Sequence, residues 1–179
     1  MVKQRKATGQ GSERNDGRGG PEAATATVNA YEKGLRILNA AGQTRLGLAR
    51  RLSRAGYEET EVEEACAQLE AHGYLDDRGF AASRLRRRQQ QGRGARLIAA
   101  ELRQKGVSPD VIDDVLADRD EEAEVERAME LAVRMVARRA SEPPAKRRDH
   151  VMAALVRRGY PAGVARRALE AANRGRERE

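Results

Sequence analysis

Apolar residues recur along this chain in one register, three times over. Aligned on Gly56, Gly106 and Gly159, the chain carries apolar residues eight and four positions before each glycine: Leu48 and Leu52, Ile98 and Leu102, Val151 and Leu155. The residue after each glycine is of a buried type: Tyr57, Val107 and Tyr160. Counted from that residue, positions five, eight and nine are apolar again, as Val62, Ala65 and Cys66, Ile112, Val115 and Leu116, and Ala165, Ala168 and Leu169. Steps of three and four mark amphipathic helices, and a glycine between two such stripes marks a tight left-handed turn. Each copy is therefore predicted to be a helix, a glycine turn and a second helix.

Punctuation agrees with the periodicity. Thr60 with Glu63 has the capping-box spacing, Ser108-Pro109 reads as an N-cap followed by proline at the first helical position, and Pro161 serves likewise in the third copy. A further helix precedes each pair. The first spans about 30 to 41 with Leu35 and Leu38 inward. The second spans about 78 to 91, capped by Asp76 or Asp77, with Phe80, Ala81 and Leu85 inward. The third spans about 120 to 140 with Val125, Met129, Ala132 and Val136 on one stripe. Its acidic start (Asp120, Glu121, Glu122, Glu124) and basic end (Arg134, Arg138, Arg139) suit the helix dipole. The expected fold is all-α, with three tandem three-helix repeats over 28–75, 76–118 and 119–172. Units this small stack to cover their apolar faces, here into an elongated, curved body with a continuous slender interior. Residues 1–27 lack apolar periodicity and are expected to be a disordered tail, and 173–179 a short polar one.

Composition sharpens this picture at two points. Aromatics are 3% of 179 residues, with one Phe and no Trp, so thin layers of Leu, Val, Ile and Ala must fill the interior. A single cysteine excludes an internal disulfide and a thiolate zinc cage. The first twenty residues hold no apolar run that would read as a secretory signal, and no stretch approaches the ~20 apolar residues of a membrane span. The chain is expected to be a cytoplasmic monomer.

Catalytic chemistry finds no footing. His72 and His150 lie in different repeats without carboxylates or thiols at ligand spacing, and Cys66 occupies the repeat position of Leu116 and Leu169, a core position. Asp76-Asp77, just ahead of an apolar-periodic segment, reads as a helix cap rather than an acid/base pair. Gly92-Arg93-Gly94 has neither the preceding strand nor the following Lys-Ser/Thr of a phosphate loop. The expectation is a binding protein with no enzymatic activity, cofactor or metal.

Charge is the remaining signal. The net charge is +7, from 35 basic residues of which 30 are Arg. Residues 84–105 of the middle copy concentrate Arg84, Arg86, Arg87, Arg88, Arg93, Arg96, Arg103 and Lys105 against a single acid, Glu101; Lys146, Arg147, Arg148, Arg157 and Arg158 form another cluster. Each arginine alone reads as solvated surface. Together they form a candidate anion-facing surface, for nucleic acid or for acidic protein. A helix-turn-helix reader of duplex DNA is disfavoured. The second helix, which would enter the groove, carries Glu58, Glu59, Glu61, Glu63 and Glu64 in the first copy and Asp110, Asp113, Asp114 and Asp118 in the second.

The segment Gly73-Tyr74-Leu75-Asp76-Asp77-Arg78-Gly79-Phe80-Ala81 resembles the GYLDD..FA signature of the regulatory protein RecX family. The likeness extends through Gly92-Arg93-Gly94-Ala95-Arg96-Leu97-Ile98 and Glu101-Leu102-Arg103-Gln104-Lys105-Gly106-Val107. Thr44-Arg45-Leu46-Gly47-Leu48 departs from the family's R..S..EL run. The resemblance implies a modulator of RecA, the recombinase that coats single-stranded DNA as a filament. Such a protein binds in the filament's helical groove and typically restrains recombinase, ATPase and coprotease activity in recombination, repair and the SOS response. The alternative is a direct single-stranded nucleic-acid-binding protein acting by competition for DNA, and a generic helical scaffold is a third reading.

Overall fold

The computed structural model describes residues 28–176, and among them every regular element is a helix. The first unit comprises α1 (Ala30–Ala40), α2 (Arg45–Arg54) and α3 (Glu59–Ala71). The second comprises α4 (Asp77–Gln90), α5 (Ala95–Gln104) and α6 (Pro109–Ala117), and the third α7 (Glu121–Arg138), α8 (Pro144–Arg157) and α9 (Ala162–Arg176). The glycine turns adopt the left-handed conformation that the register requires, with φ of +94° at Gly56, +83° at Gly106 and +90° at Gly159. Leu48, Leu52, Ile98, Leu102, Val151 and Leu155 are completely buried, as are Ile112, Ala165 and Ala168. Cys66 lies in the first core, where burial pushes its thiol pKa up and away from thiolate chemistry.

Several local expectations are corrected. The capping box of α3 sits two residues earlier than the Thr60–Glu63 spacing implied: Glu58 is the N-cap, and the Glu61 carboxylate accepts from its backbone N–H at 2.9 Å. Pro161 precedes the first residue of α9 rather than occupying it, and its carbonyl accepts from Ala165 N–H. In α1, Leu35 and Leu38 are only half-buried, while Ala30 and Gly34 make the inner face. A methyl at Gly34 would press on Leu69 Cδ1, so the missing side chain sets how near α1 approaches α3. The inward stripe of α7 runs through Glu124, Ala128, Ala132, Met135 and Val136, with Val125 and Met129 on its shoulder. Small residues on both helices, Ala128 and Ala132 against Ala165, Ala168 and Ala172, let α7 and α9 pack along their length. Residues 173–176 continue α9 where a polar tail was expected. Once Ala172 is anchored in the core, each added residue gains a helical hydrogen bond, and no proline intervenes. The tail expected over 1–27 lies outside the described residues.

The interior is not continuous. Three separate cores form, one per unit, and every substantial helix–helix contact falls within a unit. Between units lie thin joints made of helix ends, and the same joint is built twice. At the first, Thr44 caps α2 by accepting from Gly47 N–H at 3.0 Å and donates its hydroxyl to the Lys105 carbonyl at the end of α5, 2.6 Å away. The Asp77 carboxylate, from the start of α4, accepts from Arg45 N–H at 2.7 Å. At the second, Gly94 N–H donates to the Arg158 carbonyl at the end of α8 (2.8 Å), and Arg96 N–H to the Gly159 carbonyl (3.0 Å). There the buried Glu124 carboxylate of α7 accepts from Ala95 N–H at 2.9 Å. In each joint the start of one helix meets the end of another, with the Thr44 hydroxyl in the first and backbone N–H groups in the second donating to the carbonyls there, so the dipoles align head to tail. Apolar filling is slight, which is why the three stripes do not merge.

Asp77 gives the first joint a pH dependence. Burial pushes its carboxyl above the ordinary carboxylate range, the neighbouring Glu70 and Asp76 add to the rise, and the Arg45 N–H opposes it. A carboxyl raised in the folded state favours that state when protonated, so this contribution is lost as pH climbs through the folded pKa. Asp77→Asn keeps an acceptor for Arg45 N–H and removes the titration. As pH climbs above the ordinary aspartate range at about 4, urea unfolding is expected to show the parent chain losing stability relative to the variant. Parallel profiles would mean that Asp77 does not titrate in the joint.

Candidate partner-binding surface

Of the thirteen basic residues singled out by sequence, Lys146 is exposed near the start of α8, and the structure divides the other twelve into working groups. Arg84 and Arg88 do not face solvent freely. Both are half-buried on α4 and pair with Glu101 of α5, at 3.3 and 2.7 Å, and Arg88 also donates to Gln91 Oε1. They brace two helices of one unit. Arg147 is similarly committed, donating to the carbonyls of Ala140 and Glu142 in the turn after α7. Arg86, Arg96, Arg103 and Arg148 are exposed and form no ion pair among the described residues. Arg96 and Arg103 share one face of α5, two turns apart.

The others gather at the joints. Arg87 and Lys105 line an open groove of about 860 Å³ between the first and second units. Arg93, Arg157 and Arg158, with Gln91, line a smaller one of about 490 Å³ where the second unit meets the third. The two positions correspond through the repeat: Gln43, Gln104 and Lys105 of the first groove become Arg93, Arg157 and Arg158 of the second. A recess at each joint is thus a property of the repeat, whereas its charge is not: of these positions only Lys105 and its counterpart Arg158 are basic in both grooves. Helix ends leave a gap there, and the side chains flanking the glycine turn border it.

Sequence reasoning missed the strongest contributors to the first groove. Arg50, Arg51 and Arg54 on the outer face of α2 line it beside Arg84, Arg87 and Lys105, while Asp76 is the one carboxylate in the lining. The available signal was their spacing: Arg50 and Arg54 are one turn apart, opposite the buried Leu48–Leu52 stripe. Attention to the denser arginine run of the middle copy concealed them. Tyr74, from the Gly73-Tyr74-Leu75 segment, is 56% exposed and borders the same groove.

Among the described residues no three His, Cys, Asp or Glu side chains could together hold a metal ion, and no helix is long and apolar enough to cross a membrane. His72 accepts or donates a hydrogen bond with Tyr31 and His150 pairs with Glu142, both at the surface.

Comparison with known proteins agrees with this architecture. The description "RecX, second three-helix domain" matches residues 76–116, and "RecX, third three-helix domain" matches residues 121–169. The regulatory protein RecX of Halorhodospira halophila (strain DSM 244 / SL1) is 36% identical over 159 residues, covering 88% of this chain and 96% of that protein. The RecX of Mycobacterium leprae (strain Br4923) is 41% identical over 128 residues, covering 70% of this chain and 75% of that one. Among solved structures, RecX from Lactobacillus salivarius superimposes with a TM-score of 0.76 at 19% identity, over 80% of this chain and 94% of its own, which speaks for the fold. Two three-helix domains matched in order, with relatives of the same kind matched over 75% and 96% of their length, place the chain in one family: it is a member of the RecX family of regulatory proteins.

Proposed function

We propose that this chain binds the RecA–DNA filament along its helical groove and restrains recombinase, ATPase and coprotease activity without catalysing a reaction of its own. Family membership suggests the partner. The observation that carries the mode of binding is the doubly built joint, which sets cationic recesses at repeating intervals along the stacked units. A filament presents identical protomers at regular intervals, and contacts on linked units add through effective concentration. The exposed Arg86, Arg87, Arg96 and Arg103 supply charge for acidic protomer faces or bound DNA.

RecA ATPase on single-stranded DNA is expected to fall at substoichiometric amounts of the protein, and the inhibition should persist when DNA is in excess. Inhibition relieved by added DNA would point to competition for strands instead. Reversing Arg86, Arg87, Arg96 and Arg103 to Glu should leave helix content unchanged and weaken filament binding at least ~10-fold. Arg88 is excluded from that set, because a glutamate there would face Glu101 and disturb the unit itself. Unaltered affinity would place the interface elsewhere.

A further inference from the structure

We infer that the groove between the first two units is a binding site for a single strand of nucleic acid, with Arg50, Arg51, Arg54 and Arg87 holding phosphates and Tyr74 stacking a base. The groove joins two features that rarely coincide by packing alone. Arg50, Arg51, Arg54, Arg87 and Lys105 are exposed in its lining, and none is engaged in an ion pair among the described residues. The lining carboxylate, Asp76, already accepts from Gly79 N–H as the cap of α4. Arg50 and Arg54, about 5–6 Å apart on adjacent turns, form a short cationic row that successive phosphates of an extended strand can follow.

Tyr74 selects between polyanions. It follows the Gly73 turn after α3, its backbone N–H held by the Leu69 carbonyl, and its side chain is the most exposed of the large apolar groups. His72 stands at right angles to its ring with centroids 6.5 Å apart, and at right angles to Tyr31 at 5.8 Å, so Tyr74 ends a row of rings and remains 56% exposed. An acidic protein surface needs only the arginines. A single strand offers both charge and flat unstacked bases, and base-on-aromatic stacking is tolerant of sequence. Duplex DNA keeps its bases inside and has no use for Tyr74.

Anisotropy of a labelled oligo-dT strand of about twenty nucleotides, titrated with the full chain in the absence of recombinase, tests this directly. Tyr74→Ala is expected to weaken binding ~5- to ~150-fold with the salt slope unchanged, while Tyr74→Phe restores it. Arg51→Ala and Arg54→Ala should each lower the log–log salt slope by ~0.7. Tyr74 is exposed, so its variants are expected to keep the helix content of the parent chain. Equal binding of oligo-rU supports a sugar-independent site, and weaker binding supports one for DNA. Duplex bound as well as single strand, an oligo-glutamate peptide competing as well as oligo-dT, or an inert Tyr74→Ala would each overturn the proposal. A strand site lets excess free DNA draw the chain away, so the ATPase test of the filament reading is run with Tyr74→Ala, and the absence of recombinase here keeps the two outcomes distinct.

Discussion

Gly94→Ala is expected to remove about 3 kcal/mol of unfolding free energy, although its backbone can accept any residue. The position has φ −86° and ψ 163°, ordinary extended geometry, so conformational strain plays no part. What alanine meets is the neighbouring unit. Its Cβ would fall within contact distance of the Gly159 carbonyl group and the Tyr160 nitrogen, which are backbone atoms that cannot rotate aside. Overpacking of this kind costs roughly 1–3 kcal/mol, and the displaced Gly94–Arg158 and Arg96–Gly159 hydrogen bonds add about 0.5–1.5 kcal/mol each. Gly163→Ala provides a control of opposite sign. It lies in the first turn of α9 with nothing near its added methyl, and is expected to stabilise by roughly 0.5 kcal/mol. Urea unfolding followed by far-ultraviolet circular dichroism reads both. Equal stability of Gly94→Ala and the parent chain would show that the second joint yields without cost.

That contrast also shows what the sequence could reveal. Gly56, Gly106 and Gly159 were legible because a left-handed turn after an apolar stripe is a local requirement, written within ten residues on either side. Gly94 carries no such local signal, because its reason is a turn more than sixty residues downstream. Thr44 and Gly94 occupy the same repeat position and perform the same docking with different groups, a hydroxyl in one and a backbone N–H in the other. No pattern of residue types records that equivalence. The basic face was legible as a quantity of charge but not as a surface. Arg84 and Arg88 stood out by density, yet their guanidinium groups turn inward to Glu101, while the quieter Arg50, Arg51 and Arg54 line the larger groove. Helix faces are periodic and can be read; partners across a joint are long-range and cannot.

Glu124 illustrates the same limit with a larger consequence. By sequence it is one of four acids at the start of a helix, a favourable but minor interaction with the dipole. In the fold it is 3% exposed, and its two oxygens do different work: one accepts from Ala95 N–H of the preceding unit, the other from Arg119 Nε at 3.3 Å. Arg119 also donates to the Leu116 carbonyl and to Glu121, tying the end of α6 to the start of α7. Glu124→Ala would strand a buried N–H at the start of α5 and leave Arg119 without its buried partner. Losing one side of a buried pair costs up to about 3–5 kcal/mol, and Arg119 keeps some access to water, so a loss of about 2–4 kcal/mol is expected. Glu124→Gln retains an acceptor for Ala95 and should lose about half as much. The form of the transition is the more telling measurement. In a stack of small units the joints supply cooperativity, so Glu124→Ala is expected to lower the urea m-value or split the transition, with Ala95 N–H exchanging faster than amides in the cores. A single transition of undiminished slope, shifted or not, would mean that the third unit is held to the second by something other than this carboxylate.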